Sequence, residues 1–380
     1  MFAELSEEHI KYREKVRKFA EDVVAPKAAE IDESGEFSWD TLKKMAEFGL
    51  LGVPFPKEYG GAGLDDLSYA IAVEEISRVC GSTGVTLAAH VSLGAYPIYD
   101  YGTEEQKRRY LIPLAKGEHI GSFGLTEPNT GSDAAATETT AKLVGDKWVI
   151  NGTKRFITSG AIADTIVFTA SQDRSKGAHG ISAFIVEKGT RGFSPGKDEN
   201  KLGLRGSVTS ELIFEDCAIP KENLLGKEYE GFKIFMHTLD SGRISIGAMG
   251  LGIAQGALDA SIKYAKERTH SGKPLSKYQL IQKLIADMAT EIEAARHLVY
   301  HAARLKGMGK NITKEGAIAK LYASEMAMRV STKAIQIHGS HGLTKEYPVE
   351  RFLRDAKLLE IGEGTSEIQR IVIARQILGK

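Results

Sequence analysis

Near the C-terminus the stretch LLEIGEGTSEIQR sets Glu363 between Gly362 and Gly364, just ahead of a Thr-Ser pair and a helical run. A carboxylate on so bare a backbone is either a solvated turn charge or a base carried where the chain can approach a substrate closely. Ser366 and Gln369 have capping-box spacing, which places Glu363 just upstream of a terminal helix. Two other polar stretches could do chemistry. GSFGLTEPNTGSDAAA (121–136) offers backbone N–H groups and hydroxyls without bulk, fit for a phosphate or a flat heterocycle's edge, and equally fit for an ordinary polar loop. NGTKRFITSG (151–160) sets Phe156 two residues before Thr158. In a strand both side chains would face one side, giving a stacking surface beside a hydroxyl.

Other chemistries lack their residues. GLGIAQG (250–256) lies inside a helical run rather than after a strand, so it reads as close helix packing and not as a dinucleotide fingerprint. There is no G-x-x-x-x-G-K-[ST], no H-E-x-x-H, no paired C-x-x-C and no G-x-S-x-G, so P-loop, zinc and serine-hydrolase chemistry have no support. The ten histidines are scattered; His338 and His341 are close, but one such pair reads as polar packing and no metal is expected.

The elements that must position these stretches follow from texture. At 380 residues two or three subdomains are expected. Lys+Arg and Asp+Glu are equal at 50 each, which argues against nucleic acid or an anionic membrane as main partner. Cys80 and Cys217 make no disulfide framework, and a reducing compartment fits. The opening MFAELSEEHIKYREKV has early acids and no apolar core, and no stretch approaches the ~20 apolar residues of a membrane span. An intracellular, soluble protein is expected, and a prokaryotic cytoplasm is preferred over a mitochondrial matrix.

Residues 1–118 read as helical, with Ser6 opening the first run, Pro26 interrupting it, and a second helix from about Ser38 to Phe48 stopped by Gly49. Thr103 and Gln106 have capping-box spacing. From 119 to 230 the texture is β, with a hairpin at VGDKW and strands at ISAFIVEK and SELIFEDCAI. From 231 to 380 it is helical again, with three-and-four apolar spacing over 278–306 and 313–338.

Five motifs in order, TEPNTGSD, NGTKRFITSG, ERTHSGKPL, EYPVERFLRDAK and EGTSEIQR, resemble those of the acyl-CoA dehydrogenases, and the likeness runs the length of the chain. CGSTGVTLAAHVSLGAYPIYDYGTEEQK is most similar to the short-chain, butyryl-CoA-type members. The resemblance implies an α+β chain: an N-terminal all-α domain, a middle β-barrel or sandwich domain and a C-terminal four-helix-bundle domain. It implies FAD, an acyl-CoA substrate, an electron-transfer flavoprotein as acceptor and a homotetramer. The implied reaction removes an α-proton and passes a β-hydride to flavin N5, leaving the trans-2-enoyl-CoA.

Residue by residue, Glu363 matches the family's base, its N–H holding the thioester carbonyl. The nearby helix N-terminus should lower its pKa, so desolvation by bound substrate has to win. Some members carry the base at the place where Gly242 stands, and glycine cannot serve. Phe123, Leu125, Thr126, Gly131 and Ser132 would line the flavin, Phe156 and Ile157 would cover it, and Thr158 would approach N5. Arg268, Gln279, Gln336, His338, Gly339 and Ser340 would reach a neighbouring subunit's cofactor, with Thr365 and Glu367 on the adenine side. Ser132, Asp240, Arg243 and Gly364 would hold the CoA ester, although Arg243 by itself also reads as a helix-surface charge. Three departures bear on the acyl group. Gly362 replaces a usual Tyr, Ser271 an aromatic, and Ser340 and Leu343 the commoner Gly and Tyr. They admit a branched or cyclic acyl group. An oxidase, a glutaryl-type dehydrogenase and a silent flavin- or CoA-binding subunit are the alternatives. The oxidases usually carry an additional C-terminal domain, the glutaryl-type enzyme wants a cation that segment 82–95 lacks despite polar His90 and Ser92, and a silent subunit has no use for Glu363.

Overall fold

The computed structural model describes residues 5–379. Ser6 caps the first helix, Glu7–Phe19, accepting from the His9 N–H at 3.3 Å. The chain then loosens into a π turn, Ala20–Val24, and a 3-10 turn, Ala25–Lys27, that holds Pro26, before Ala28–Ser34 resumes as α-helix. The proline lacks the N–H an α-helix interior would use, and this break is its consequence. Trp39–Phe48 ends at Gly49 with φ 83°, the left-handed stop predicted from the sequence. The Thr103–Gln106 capping box forms with both reciprocal bonds. Asp66–Ser77 is buried on every side from Leu67 onward, so it is the axis of this first helical unit.

The middle unit is one sheet. Its strands are β1 Gly121–Gly124, β2 Thr140–Val144, β3 Lys147–Thr158, β4 Thr165–Ser171, β5 Ile181–Glu187, β6 Phe193–Asp198, β7 Thr209–Pro220 and β8 Leu224–Leu225. The order is β6-β7-β3-β2-β4-β5-β8, with β1 parallel to β4. The VGDKW hairpin is present: Val144 pairs with Lys147 across Gly145 (φ 64°) and Asp146. Every residue of β4 is buried, as a strand covered on both faces must be. The β3–β7 ribbon slips register twice, between Ile150 and Gly152 and between Lys154 and Ile157. The second slip matters for the site.

The last unit begins with the 37-residue helix Gly231–Glu267, followed by Gln279–Gly307, Thr313–His338, Val349–Leu359 and Ser366–Leu378. Its glycines explain GLGIAQG. A Cβ at Gly250 would lie 2.8 Å from the Ala323 carbonyl oxygen, and one at Gly252 or Gly256 would overlap the carbonyls of Glu74 or Arg78. Two helices therefore cross this one in near backbone contact, which a dinucleotide loop would not require.

A neutral histidine joins the first unit to the sheet. His90 is buried; its Nε2–H donates to the Leu114 carbonyl at 3.0 Å, and its Nδ1 accepts the Gly121 N–H at 3.1 Å. Burial pushes its pKa down to about 4, so this tautomer persists. The π turn His90–Ala95 lies so close to β1 that a Cβ on Gly94 would be 2.7 Å from the Gly121 Cα.

Candidate active site

Glu363 sits in the loop between Val349–Leu359 and Ser366–Leu378 with φ 53°, a left-handed conformation that costs a non-glycine residue roughly 1–3 kcal/mol. The loop is pinned from several sides. The Gly362 N–H donates to the Leu358 carbonyl at 2.9 Å and the Ser366 N–H to that of Glu360 at 2.9 Å. The Gln369 amide donates to the carbonyls of Gly364 (2.9 Å) and Glu363 (3.3 Å), and the fully buried Lys320 ammonium donates to Gly364 at 2.6 Å. The expected cap shifts by one residue: Thr365, not Ser366, accepts from the Ile368 N–H at 3.3 Å, and Gln369 is spent on the loop carbonyls. Adjacent hydroxyls offered two registers, and the chain takes the earlier one.

The carboxylate turns inward. Although the residue as a whole is only half-buried, its Oε2 is buried with no hydrogen-bond partner among the described residues. A methyl at Gly242 would overlap that oxygen, and Leu93 closes the same side. Burial pushes the Glu363 carboxyl up to about 7, against the pull of Lys320 and Arg243. The raised value is therefore set by burial within the protein, without a bound substrate to add to it.

Arg243 is not a surface charge. It is buried, ion-paired with Asp240, whose other oxygen accepts from the Thr313 hydroxyl at 2.6 Å. A polar patch the sequence did not announce adjoins Glu363. Tyr69 and Ser92 donate to the Ala88 carbonyl at 2.9 and 2.6 Å, and Ser245 meets the Ser92 hydroxyl at 3.2 Å.

The two cofactor stretches converge on one buried ion pair. Glu127 accepts from the Lys154 ammonium at 2.7 Å and from the N–H groups of Glu138 and Thr139 at 2.5 and 3.0 Å. Lys154 also donates to the Thr169 hydroxyl at 3.1 Å. Around this strut, Phe123 is buried against Phe235 with centroids 4.0 Å apart, Leu125 and Thr126 are half-buried, and Gly131 and Ser132 stand exposed at the loop tip. The strand alternation expected for Phe156 and Thr158 is interrupted. Phe156 falls at the second register slip with φ 56° and is 56% exposed, while Ile157 is buried and Thr158 half-buried. The Arg155 guanidinium lies 4.9 Å from the Phe156 ring centroid. An exposed aromatic on strained backbone is a surface shaped for a flat partner.

The remaining predicted contacts lie elsewhere. Arg268, Gln279, Gln336, Gly339 and Ser340 are exposed around the short hairpin Thr269–Pro274 and the adjacent helix ends. His338 is buried, stacked on Tyr264 with centroids 4.2 Å apart, and its Nε2 has no partner among the described residues. Glu367 is exposed in the first turn of the last helix. Among the described residues no group of three His, Cys, Asp or Glu could hold a metal ion, and no helix is long and apolar enough to cross a membrane.

This frame has relatives. Residues 6–118, 122–217 and 229–378 match the N-terminal, middle and C-terminal domains of acyl-CoA dehydrogenase, and the chain belongs to that family. It is 57% identical to the short-chain specific acyl-CoA dehydrogenase of Clostridium acetobutylicum over 98% of both chains. Butyryl-CoA dehydrogenase from Megasphaera elsdenii superposes with TM-score 0.98 at 46% identity over the whole of both chains. A chain solved in work on the electron transferring flavoprotein of Acidaminococcus fermentans superposes equally, TM-score 0.98, at 55% identity over 99% of both. The protein is therefore an FAD-dependent acyl-CoA dehydrogenase. The exposed Phe156 and the unpartnered His338 Nε2 are compatible with such a cofactor.

Proposed function

We propose that the chain oxidises a short, straight or branched acyl-CoA to its trans-2-enoyl-CoA, with Glu363 as base. One observation carries this reading above the rest: a buried carboxylate oxygen with no partner, on left-handed backbone between two glycines. An α-proton of a thioester is too weakly acidic for a solvated carboxylate, and removing water raises basicity. Oε2 is buried and meets no donor among the described residues, so it is free to take that proton. The Glu363 N–H, fixed by the pinned loop, donates to the thioester carbonyl and stabilises negative charge developing there. FAD, when bound, supplies the acceptor for the β-hydride. Phe123, Leu125, Thr126, Gly131, Ser132, Phe156, Ile157 and Thr158 hold it from this chain. Arg268, Gln279, Gln336, His338, Gly339 and Ser340 serve a neighbouring copy, with Thr365 and Glu367 on the adenine side; the exposure of Arg268, Gln279, Gln336, Gly339 and Ser340 in the single chain supports an assembly, in our reading a homotetramer. Ser132, Asp240, Arg243 and Gly364 take the CoA ester. The likeness to the Acidaminococcus fermentans chain supports an electron-transferring flavoprotein as electron acceptor.

The test is an anaerobic titration of the purified yellow protein with butyryl-, isobutyryl-, isovaleryl-, hexanoyl-, cyclohexanecarbonyl- and glutaryl-CoA. Bleaching of the flavin band by butyryl-CoA is expected first. Bleaching by glutaryl-CoA alone would transfer the reading to the dicarboxyl alternative, and a yellow protein that none of them bleaches would overturn it.

A further inference from the structure

Lys320 lies on Thr313–His338 with no exposed surface, yet nothing in the chemistry above uses it. A lysine so placed needs a reason. Burying an ammonium costs several kcal/mol unless it is paired and hydrogen-bonded. Here the hydrogen bond goes to a neutral acceptor, the Gly364 carbonyl, at 2.6 Å. Burial pulls the ammonium down to about 8; Glu363 opposes that most, ahead of Glu360 and Glu367, while Arg243 adds to it. A methionine would fill the same space without that cost, so packing alone does not explain the lysine.

The same loop has a second need. Glu363 holds φ 53° without being glycine, and such strain persists only where the surroundings over-determine the backbone. Two donors do so from outside the loop. Gln369 reaches the carbonyls of Glu363 and Gly364 from the following helix, and Lys320 reaches Gly364 from the opposite side. Releasing either would let the chain relax toward the right-handed region and withdraw the carboxylate from Gly242. The groups facing Glu363 are Lys320, Arg243 from Gly231–Glu267, and Tyr69 from Asp66–Ser77. Arg243 is already paired with Asp240, and Tyr69 is neutral, which leaves Lys320 as the cation without a contacting carboxylate.

We propose that Lys320 is a positioning residue for the base: its ammonium fixes the Gly364 carbonyl, and with it the left-handed Glu363, and provides the positive charge against which that carboxylate ionises. This rests on Glu363 being the base, so the experiment separates the two claims. Lys320→Met removes donor and charge, Lys320→Gln keeps a donor and removes the charge, and Glu363→Gln removes the base. All are read in the FAD-loaded enzyme by kcat/KM for butyryl-CoA against pH, and by the pH dependence of thermal stability.

Loss of a positive charge on the neighbouring helix should raise the acid limb of kcat/KM by about one pH unit in both Lys320 variants, the low end of the roughly 1–3 units by which an adjacent opposite charge lowers a carboxyl. Below both midpoints that is about a tenfold loss. Lys320→Gln should recover kcat relative to Lys320→Met while keeping the shifted limb. The pH at which stability falls should move upward in step, and that dependence should vanish when Glu363→Gln is added. An acid limb that stays put in Lys320→Gln, with activity lowered evenly at every pH, would overturn the proposal and make Lys320 a fold strut. Turnover surviving in Glu363→Gln would instead sink the base assignment, whatever the lysine variants do.

Discussion

Two buried glutamates divide the labour of this molecule. Glu127 in the sheet unit is satisfied: an ammonium and two backbone N–H groups meet its oxygens, and these contacts outweigh burial and hold its carboxyl below the ordinary range. Glu363 in the helical unit is left wanting. Its two nearest cations stand off without touching Oε2, and burial holds its carboxyl up at about 7. Burial is common to both carboxylates, so burial does not mark the one we propose as the base. The unspent lone pair does. A fully paired carboxylate locks two loops together; an unpaired one keeps an affinity for protons that a substrate can use.

The contrast breaks most visibly if Glu363 is amidated. Glu363→Gln should lower turnover by about 10²–10⁴-fold, the span general-base catalysis supplies, with FAD still bound and the fold intact, as steady-state assay and the visible spectrum will show. Glu127→Gln should do the reverse, harming the frame. It strands the Lys154 charge, and urea unfolding should record about 3–5 kcal/mol lost, most of it restored in Glu127→Gln/Lys154→Met, where the stranded charge is gone too. Gly242→Ala comes next. The added methyl must displace Oε2, and a displaced reacting group of this kind costs about a hundredfold in kcat, with unfolding shifted by only about 1–3 kcal/mol. The smallest effect is on pH. Because the folded carboxyl is raised from 4.5 to about 7, the native state holds an additional proton between those values, so stability should fall as pH rises through that window. Differential scanning should find that slope in the parent and not in Glu363→Gln.

Rules with short reach were legible in the chain. Gly49 stopping its helix, the Thr103–Gln106 box, the VGDKW hairpin and the packing glycines of GLGIAQG all depend on a few consecutive residues. So did Glu363 as a carboxylate on glycine-flanked backbone. What escaped was set by contacts between distant segments. Lys154 on β3 meets Glu127 from the loop after β1, and only the buried parity of Trp148, Ile150 and Lys154 along β3 hinted at an inward lysine. Lys320 likewise shares a face with Gly316, Ala317, Ala323, Ser324 and Ala327, a buried stripe in which a charged residue stands out. Phe156 defied simple alternation because one residue too many occupies that stretch of β3 relative to β7. Ser366 lost the cap to its neighbour for want of anything in the local pattern to choose between two hydroxyls.

The overlap between a methyl at 242 and the Glu363 oxygen also limits how such a site can drift over generations. In this chain one small volume holds the Glu363 oxygen and leaves no room for a side chain at 242. A lineage that moved its base from the last loop to the long helix would have to vacate 363 before filling 242, passing through a form without a base, or crowd the two together and distort both. Either intermediate is impaired. Gly242 is thus held in place by a residue far from it in the chain, and the two positions form a single inherited choice.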